Sequence, residues 1–168
     1  MEKIKHREKI YEIENFITKK HQSYLLTLCK DENWNFTDDV NNFWYNKKKS
    51  LSQCSTLNEI DFKIQNLFSS FYLIHTILTV QRFMMGQSMS PHKDISVDYT
   101  ILIYINDDYE GGEIFFPDIN FEYKPKERSL LMYPGSFTHG VKSVGKGSPR
   151  YSLTTFAFKS NNIPLIIK

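Results

Sequence analysis

Several features that mark special classes of protein are scarce or absent in this sequence. Only two of the 168 residues are cysteines, Cys29 and Cys54, so at most one disulfide can form and a disulfide-stabilised scaffold is excluded. No stretch approaches the ~20 apolar residues that a membrane-spanning helix needs. The N-terminal segment MEKIKHREKIYEIENF is charged and lacks the apolar centre of a signal peptide. We therefore expect a cytoplasmic protein with reduced thiols and no membrane association.

A strong excess of one charge is also missing. Twenty-one Lys and Arg residues nearly balance nineteen Asp and Glu residues, which gives a net charge of +2. The one basic run, Lys47-Lys48-Lys49, is expected to lie in a solvated loop, so a nucleic-acid partner is not favoured. Hydrophobic residues make up 40% and aromatic residues 15% of the chain, enough for a sizeable core. Without any internal repeat, we expect one domain over residues 1–168.

The N-terminal part of the chain carries the helical patterns. The alternating segment 9–16 predicts a strand, and Thr18 is placed to cap a helix that continues to about Lys30, with Leu25, Leu26 and Cys29 facing inward. We expect the region of about residues 18–72 to be helical and to support the rest of the fold.

The second half of the predicted helical region 18–72 contains one more helical pattern. The polar, Asn-rich segment 31–55 is expected to be a loop. Thr56-Leu57-Asn58-Glu59 fits a capping box, and the apolar spacing after it predicts an amphipathic helix over about 57–72.

From residue 73 the pattern changes to short β-rich runs separated by turn signals. The runs are HTILTVQRF, VDYTILIYI, GEIFF, INFEYKP, SLLMY, THGVKS and RYSLTTFAF. Many short strands at this spacing are typical of a sandwich or barrel. The sequence therefore predicts a mainly β fold, a double-stranded β-helix or jelly roll over about 73–158, with the N-terminal helices packed on one outer face. The apolar tail 161–168 is expected to dock on this body.

A candidate metal site comes from two separated segments. On an extended backbone residues i and i+2 point to the same face, so His92 and Asp94 of SPHKDIS can reach one common point. His139, in PGSFTHGV, follows Asp94 with 44 residues between them. Two histidines and one carboxylate form the facial triad of non-haem Fe(II) oxygenases, which leaves open positions on the metal. Zinc is the rival metal, but a catalytic zinc site usually keeps one open position and needs no nearby cation.

A cation follows the triad in the sequence. Arg150, which is separated from His139 by ten residues, begins the apolar strand RYSLTTF. An unpaired cation inside a jelly roll is unfavourable, so we predict that Arg150 binds a carboxylate. Ser152 shares the same strand face and can add a hydroxyl group. Tyr104, in TILIYIN, can add a phenolic hydrogen bond, although simple packing is the alternative for this residue.

Together these residues resemble the 2-oxoglutarate and Fe(II)-dependent dioxygenases, specifically their prolyl 4-hydroxylase-like branch. The similarity covers about residues 9–158. Its segments are YEIENFITKK, VQRFMMGQSMSPHKD, YEGGEIFFP and LLMYPGSFTHGVKSVGKGSPRYSLTTFAF. The resemblance implies a hydroxylase with His92, Asp94 and His139 as iron ligands, and Arg150 as the residue that grips the distal carboxylate of 2-oxoglutarate. These four residues are the candidate catalytic set, with Tyr104 and Ser152 assisting Arg150.

The same resemblance implies the cofactors and the reaction. The expected cofactors are Fe(II), the co-substrate 2-oxoglutarate and O₂, with ascorbate as a reductant. The products are succinate, carbon dioxide and a hydroxylated substrate, most simply a prolyl residue of a peptide or protein. Two positions depart from the family pattern: Phe83 stands where many relatives have tyrosine, and Arg150 stands where many collagen-type enzymes have lysine.

Three alternatives remain open. The substrate could be a free amino acid or another small molecule. An AlkB-type nucleic-acid demethylase also uses this ligand set, but it carries a second arginine six residues after the first, where this chain has Phe156. A non-catalytic jelly roll that serves as a structural or binding module is the third alternative, and it gives no reason for the triad and Arg150 to occur together.

Overall fold

The computed structural model describes residues 4–7, 9–30, 35–39, 42–49, 54–67, 71–73 and 78–159. These residues form fifteen strands, two α-helices and a short 3-10 helix at Pro117–Ile119. The α-helices are α1 (Lys19–Cys29) and α2 (Ser55–Leu67). The strands are β1 (Ile4–Arg7), β2 (Ile10–Ile13), β3 (Asn35–Asp39), β4 (Asn42–Lys49), β5 (Phe71–Leu73), β6 (Leu78–Phe83), β7 (Met89–His92), β8 (Tyr99–Tyr104), β9 (Tyr109–Gly111), β10 (Ile114–Phe116), β11 (Phe121–Tyr123), β12 (Leu130–Pro134), β13 (His139–Val141), β14 (Val144–Gly147) and β15 (Arg150–Lys159).

Among the described residues the strands pair into antiparallel sheets of unequal size. The large sheet has the order β1-β2-β12-β8-β15-β6-β4-β3, with β5 also paired to β15. The smaller sheet has the order β11-β10-β13-β7, and β14 pairs with β9. The predicted fold class, a mainly β jelly roll with N-terminal helices, is confirmed. Neither described α-helix combines the length and the apolar character that crossing a membrane would require.

The helices cover the outer face of the large sheet. The Thr18 side chain accepts a hydrogen bond from the His21 backbone N–H at 3.1 Å, which makes Thr18 the predicted N-cap of α1. Leu25 and Cys29 of α1 are buried in one cluster with apolar residues of α2 and the sheet. This packing confirms the predicted position of the helices, and Cys29 and Cys54 are not joined by a disulfide.

Strands β8 and β12 lie in the middle of the large sheet and are apolar on both faces. On β8, Ile101 and Ile103 pack under the helices, whereas Leu102 and Tyr104 pack between the two sheets. The same alternation continues on β12. A strand covered on both sides has no polar face, which explains the near-continuous run TILIYI. The space between the two sheets is where the candidate site lies.

Several predicted boundaries differ from the structure. The segment 31–55, expected as a loop, contains β3 and β4, and Lys47-Lys48-Lys49 lies in β4 rather than in a loop. β4 pairs with β3 on one side and β6 on the other, so sheet pairing outweighs the low strand propensity of its Asn and Lys residues.

The predicted second helix, about 57–72, starts too late in the sequence and is too long. It begins at Ser55, so Thr56 lies inside it, and the Leu57 N–H points to Cys54 Sγ at 3.5 Å. The helix ends at Leu67, and β5 follows where the helix was expected to continue. The first predicted strand is also shorter than 9–16, since β2 ends at Ile13. The tail 161–168 lies outside the described residues.

Candidate functional site

Two facing strands of the small sheet bring the two histidines together. His92 is the last residue of β7 and His139 the first of β13, and the two are direct partners in the antiparallel register. Directly opposed residues project their side chains to the same face of a sheet. The two imidazole rings therefore lie 4.4 Å apart between centroids.

Asp94 reaches the same point from a turn rather than from a strand. The extended backbone expected through Asp94 stops at His92, where β7 ends. Backbone hydrogen bonds fix the following segment, since Asp94 N–H donates to Gly135 O at 2.9 Å. The Asp94 carboxylate then lies 3.7 Å from His92 Nε2 and 3.5 Å from His139 Nε2. One possible ligand atom from each of the three residues lies within 4.8 Å of the others, a spacing that a single metal ion can bridge.

Neighbouring groups orient all three side chains. Nδ1 of His92 is 2.9 Å from Ser90 O, and Nδ1 of His139 is 3.0 Å from Phe137 O. A carbonyl oxygen can only accept, so we assign the proton of each ring to Nδ1, which leaves the Nε2 lone pair free for a metal. Burial lowers the pKa of His139, which favours the neutral, ligating form.

The Asp94 carboxylate has its own supporting donor. The Thr100 hydroxyl donates a hydrogen bond to Asp94 Oδ2. Such hydrogen bonds hold a ligating carboxylate in place before the metal arrives.

A cavity of about 150 Å³ is lined both by the triad and by Arg150. Its walls come from both sheets and include Thr154 on β15 and Ile114 on β10. A larger cleft of about 520 Å³ lies between α1 and the loops that precede Arg150, but the triad does not line it. The smaller cavity is therefore the one that joins the candidate metal site to a cation.

Arg150 is buried without a counter-ion. Its side chain is 1% exposed, and no carboxylate of the described residues lies within 4.0 Å of it. Nε donates to Gly112 O at 3.1 Å and Nη1 to Ser152 Oγ at 3.3 Å, whereas Nη2 has no hydrogen-bond partner. The guanidinium carbon lies 5.1 Å from the ring centroids of both Phe83 and Tyr104. Phe83 is one of the two positions that depart from the family pattern. Its ring packs against the Arg150 guanidinium and has no hydroxyl group, which the tyrosine of many relatives would provide.

The two predicted assistants lie next to Arg150 and not on the cavity wall. Tyr104 is fully buried and its hydroxyl has no partner. Burial raises the pKa of Tyr104 to about 12, against the opposing effect of Arg150, so this hydroxyl keeps its proton and can donate. The Ser152 hydroxyl already accepts from Arg150 and lies 3.4 Å from Gln81 Oε1. Ser152 therefore orients the guanidinium.

Thr154 is one of the cavity residues that the sequence interpretation missed. Thr154 is 4% exposed, lines the cavity, and its hydroxyl has no partner. The signal was available, because Thr154 follows Arg150 and Ser152 at the same two-residue spacing on one strand face.

The donor set fits a divalent metal and an anion bound side by side. Two imidazoles and a carboxylate suit Fe(II), and this triad leaves further metal positions for other ligands. The unsatisfied Arg150 nitrogen and the unpaired Tyr104 and Thr154 hydroxyls are donors that lack an acceptor. Buried polar groups in native proteins are usually satisfied, so these three donors are available to an anion such as a carboxylate.

Comparison with known proteins agrees with this chemistry. The sequence model of the 2OG-Fe(II) oxygenase superfamily matches residues 78–158. Human prolyl 3-hydroxylase 2 is 40% identical over 57 residues, which cover 30% of this chain and 8% of that protein. The chain thus spans a small part of that relative's length.

Solved structures with the same fold include two prolyl hydroxylases. The viral collagen prolyl hydroxylase of Paramecium Bursaria Chlorella virus-1, in its 2OG complex, has a TM-score of 0.74 and 15% identity, with 89% of this chain and 95% of that chain covered. A prolyl hydroxylase of Trichoplax adhaerens, in complex with a peptide of hypoxia inducible factor, has a TM-score of 0.76 and 18% identity, with 91% and 84% covered. At these identities the likeness establishes the fold.

Proposed function

We propose that the protein is a 2-oxoglutarate-dependent hydroxylase acting on a prolyl residue of a peptide or protein. The premise is that residues 78–158 of this chain belong to the 2OG-Fe(II) oxygenase superfamily. The observation that carries this proposal is the shared cavity. A metal-ligand triad and a buried, unpaired arginine line the same 150 Å³ space. A metal-binding module would have a use for the triad but none for Arg150.

His92, Asp94 and His139 would hold the metal ion. Their Nε2 and carboxylate oxygen atoms converge, and hydrogen bonds from the protein fix the orientation of each. Bound Fe(II) and 2-oxoglutarate would supply the oxidative chemistry, in which dioxygen is consumed, 2-oxoglutarate becomes succinate and carbon dioxide, and a C–H bond of the substrate becomes C–OH.

Arg150 would bind the distal carboxylate of 2-oxoglutarate. Its free Nη2 would donate to that carboxylate, and Tyr104 would assist from beside the guanidinium. Ser152 and Gly112 O hold the other two guanidinium nitrogens. The charges of ferrous ion, Asp94, Arg150 and a dicarboxylate sum to zero. A buried pocket tolerates that neutral set far better than its separate charges.

The cavity walls would keep the reacting groups out of bulk water. Leu102, Ile114 and Val141 contribute apolar surface between the two sheets. Exclusion of water strengthens the interaction of Arg150 with a bound carboxylate, since the local dielectric constant is lower than that of water.

A peptide or protein substrate is favoured by the solved structures of similar fold, one of which contains a bound peptide. A succinate-release screen tests this proposal, with proline-containing peptides, free amino acids and methylated oligonucleotides offered separately. We expect succinate in proportion to hydroxylated proline with a peptide, and none from His92→Ala or Asp94→Ala protein.

A second measurement tests the site independently of the substrate. Adding 2-oxoglutarate to the anaerobic Fe(II) protein should produce a visible charge-transfer band if both ligands share the metal. Absence of the band in the wild-type protein would overturn the proposal, whereas succinate formed only with an amino acid or an oligonucleotide would replace the substrate class alone.

A further inference from the structure

Asn106 lies just beyond β8, at the place where Arg150 begins β15. Ser152 faces Tyr104 in the β8–β15 register, and continuing that register places Asn106 opposite Arg150. The last backbone hydrogen bond between the two segments runs from Ile105 N–H to Tyr151 O at 3.0 Å. Past this bond the chain turns away, so Arg150 has no strand beside it on the β8 side.

The Asn106 side chain occupies that gap. Its Nδ2 donates to Pro149 O at 2.9 Å, and its Oδ1 accepts from Tyr151 N–H at 2.8 Å. These are the peptide groups on either side of Arg150. One amide side chain therefore replaces the backbone partners that a longer β8 would have provided, while β6 pairs with Arg150 through Phe83 on the other edge.

A third contact fixes which way the amide points. Asn106 Nδ2 also donates to Asp108 Oδ1 at 2.6 Å, and Asp108 Oδ2 accepts from the Ser148 hydroxyl at 2.6 Å. Both partners of Nδ2 are acceptors and the partner of Oδ1 is a donor, so only one orientation satisfies all three contacts. Asn106 is 7% exposed, which protects these hydrogen bonds from water.

The consequence concerns the guanidinium. Arg150 has no counter-ion among the described residues to hold its charge in place, and its Nη2 has no hydrogen-bond partner. The position of a side chain depends on the backbone that carries it, and small errors in that position lower affinity steeply. We propose that Asn106 is a positioning residue that fixes the backbone of Arg150 so that its guanidinium meets the carboxylate of the co-substrate.

This inference rests on the proposed function, and its test separates the two. The variants are Asn106→Ala and, as a matched control, Gln22→Ala. Gln22 also donates a side-chain amide to backbone, to Ile105 O at 2.8 Å next to Asn106, and its other hydrogen-bond partner is Glu127 rather than a residue of β15. Anaerobic titration of each Fe(II) protein with 2-oxoglutarate, followed by the charge-transfer band, gives the dissociation constant.

Asn106→Ala should raise the dissociation constant of 2-oxoglutarate by roughly tenfold or more. Its Fe(II) affinity should match that of the wild type, because the triad lies on other segments. Amide hydrogen exchange at Tyr151 should be faster in this variant, a readout that needs no cofactor. Gln22→Ala should match the wild type in all three measurements.

Asp108→Ala provides a second variant on an exposed side chain, in case Asn106→Ala fails to fold. It removes the contact that orients the amide, together with the Ser148 hydrogen bond, but leaves both contacts of Asn106 with the backbone beside Arg150. We therefore expect a smaller rise in the same dissociation constant. Unchanged 2-oxoglutarate affinity in Asn106→Ala, or in Asp108→Ala where only that variant folds, would overturn the positioning role while leaving the proposed function intact. Equal loss of Fe(II) and 2-oxoglutarate binding would also overturn it.

Discussion

Replacing Arg150 with methionine should stabilise the protein without ligands and remove its response to 2-oxoglutarate. The guanidinium is 1% exposed and lacks a carboxylate partner among the described residues, so its desolvation is only partly offset. Desolvation of a buried ion opposes folding by several kcal/mol, and the two hydrogen bonds to Gly112 and Ser152 offset only part of this cost. Contacts with the Phe83 and Tyr104 rings add about 0.5–2 kcal/mol.

Replacing buried ionic groups by apolar side chains of similar volume often stabilises a protein by about 1–4 kcal/mol. We expect a gain of about 1–3 kcal/mol for Arg150→Met in the unliganded state, since methionine fills a similar space and needs no hydrogen bond. Urea unfolding of the metal-free protein measures this difference directly. In a thermal melt each kcal/mol corresponds to about 2–4 °C for a chain of this length.

The order of stability should reverse when ligands are present. With the redox-inert ion Mn(II) and 2-oxoglutarate at 100 times its dissociation constant, the wild type should gain about 2.7 kcal/mol from the diacid. Arg150→Met should gain almost nothing at that concentration. A variant that is less stable without ligands yet keeps the 2-oxoglutarate shift would refute the view of Arg150 as an unpaired cation awaiting a carboxylate.

Two further outcomes are expected. Thr100→Val removes the hydroxyl that donates to Asp94 Oδ2 while conserving side-chain shape. The affinity for Fe(II) or Mn(II) should therefore fall about 10–100-fold in calorimetric titration. An unchanged affinity would contradict the role of Thr100 in holding the Asp94 carboxylate. Hydrogen bonds from Ser148 and Asn106 lower the pKa of Asp108 below its unfolded value of 3.8. The ionised Asp108 carboxylate therefore stabilises the fold above pH 3.8, and this stabilisation is lost as the pH falls through the lower pKa of the folded state. Ser148→Ala should raise this pKa toward 3.8 in an NMR titration of the carboxyl group, and no movement would show that Ser148 does not control it.

The parts of the fold that were predicted correctly are those that local patterns specify. The cap at Thr18 and the apolar spacing after it define α1 from within a few residues. The β-rich run VDYTILIYI, followed by the turn signal Asp107-Asp108, predicts the strand that the structure shows as β8. By contrast, β4 is a strand because β3 and β6 lie beside it, and no local property of NFWYNKKK specifies those neighbours.

The candidate site divides in the same way. Residue types and spacing indicated that His92, Asp94 and His139 would converge, and the structure places them together. Their role as metal ligands, and that of Arg150 as a carboxylate-binding residue, stay predictions. Asn106 could not be recognised in advance, because its three partners are assembled only when β8 and β15 adopt their register.

The two ends of the proposed co-substrate site belong to different layers of the jelly roll. The histidines stand on the small sheet, whereas Arg150 stands on the large one. Core side chains such as Tyr133 and Ile114 set the distance between the two sheets. That distance therefore determines the length of the diacid that can bind at both ends. A substitution that thins or thickens this core would change which dicarboxylate fits without altering any residue that touches its charged ends.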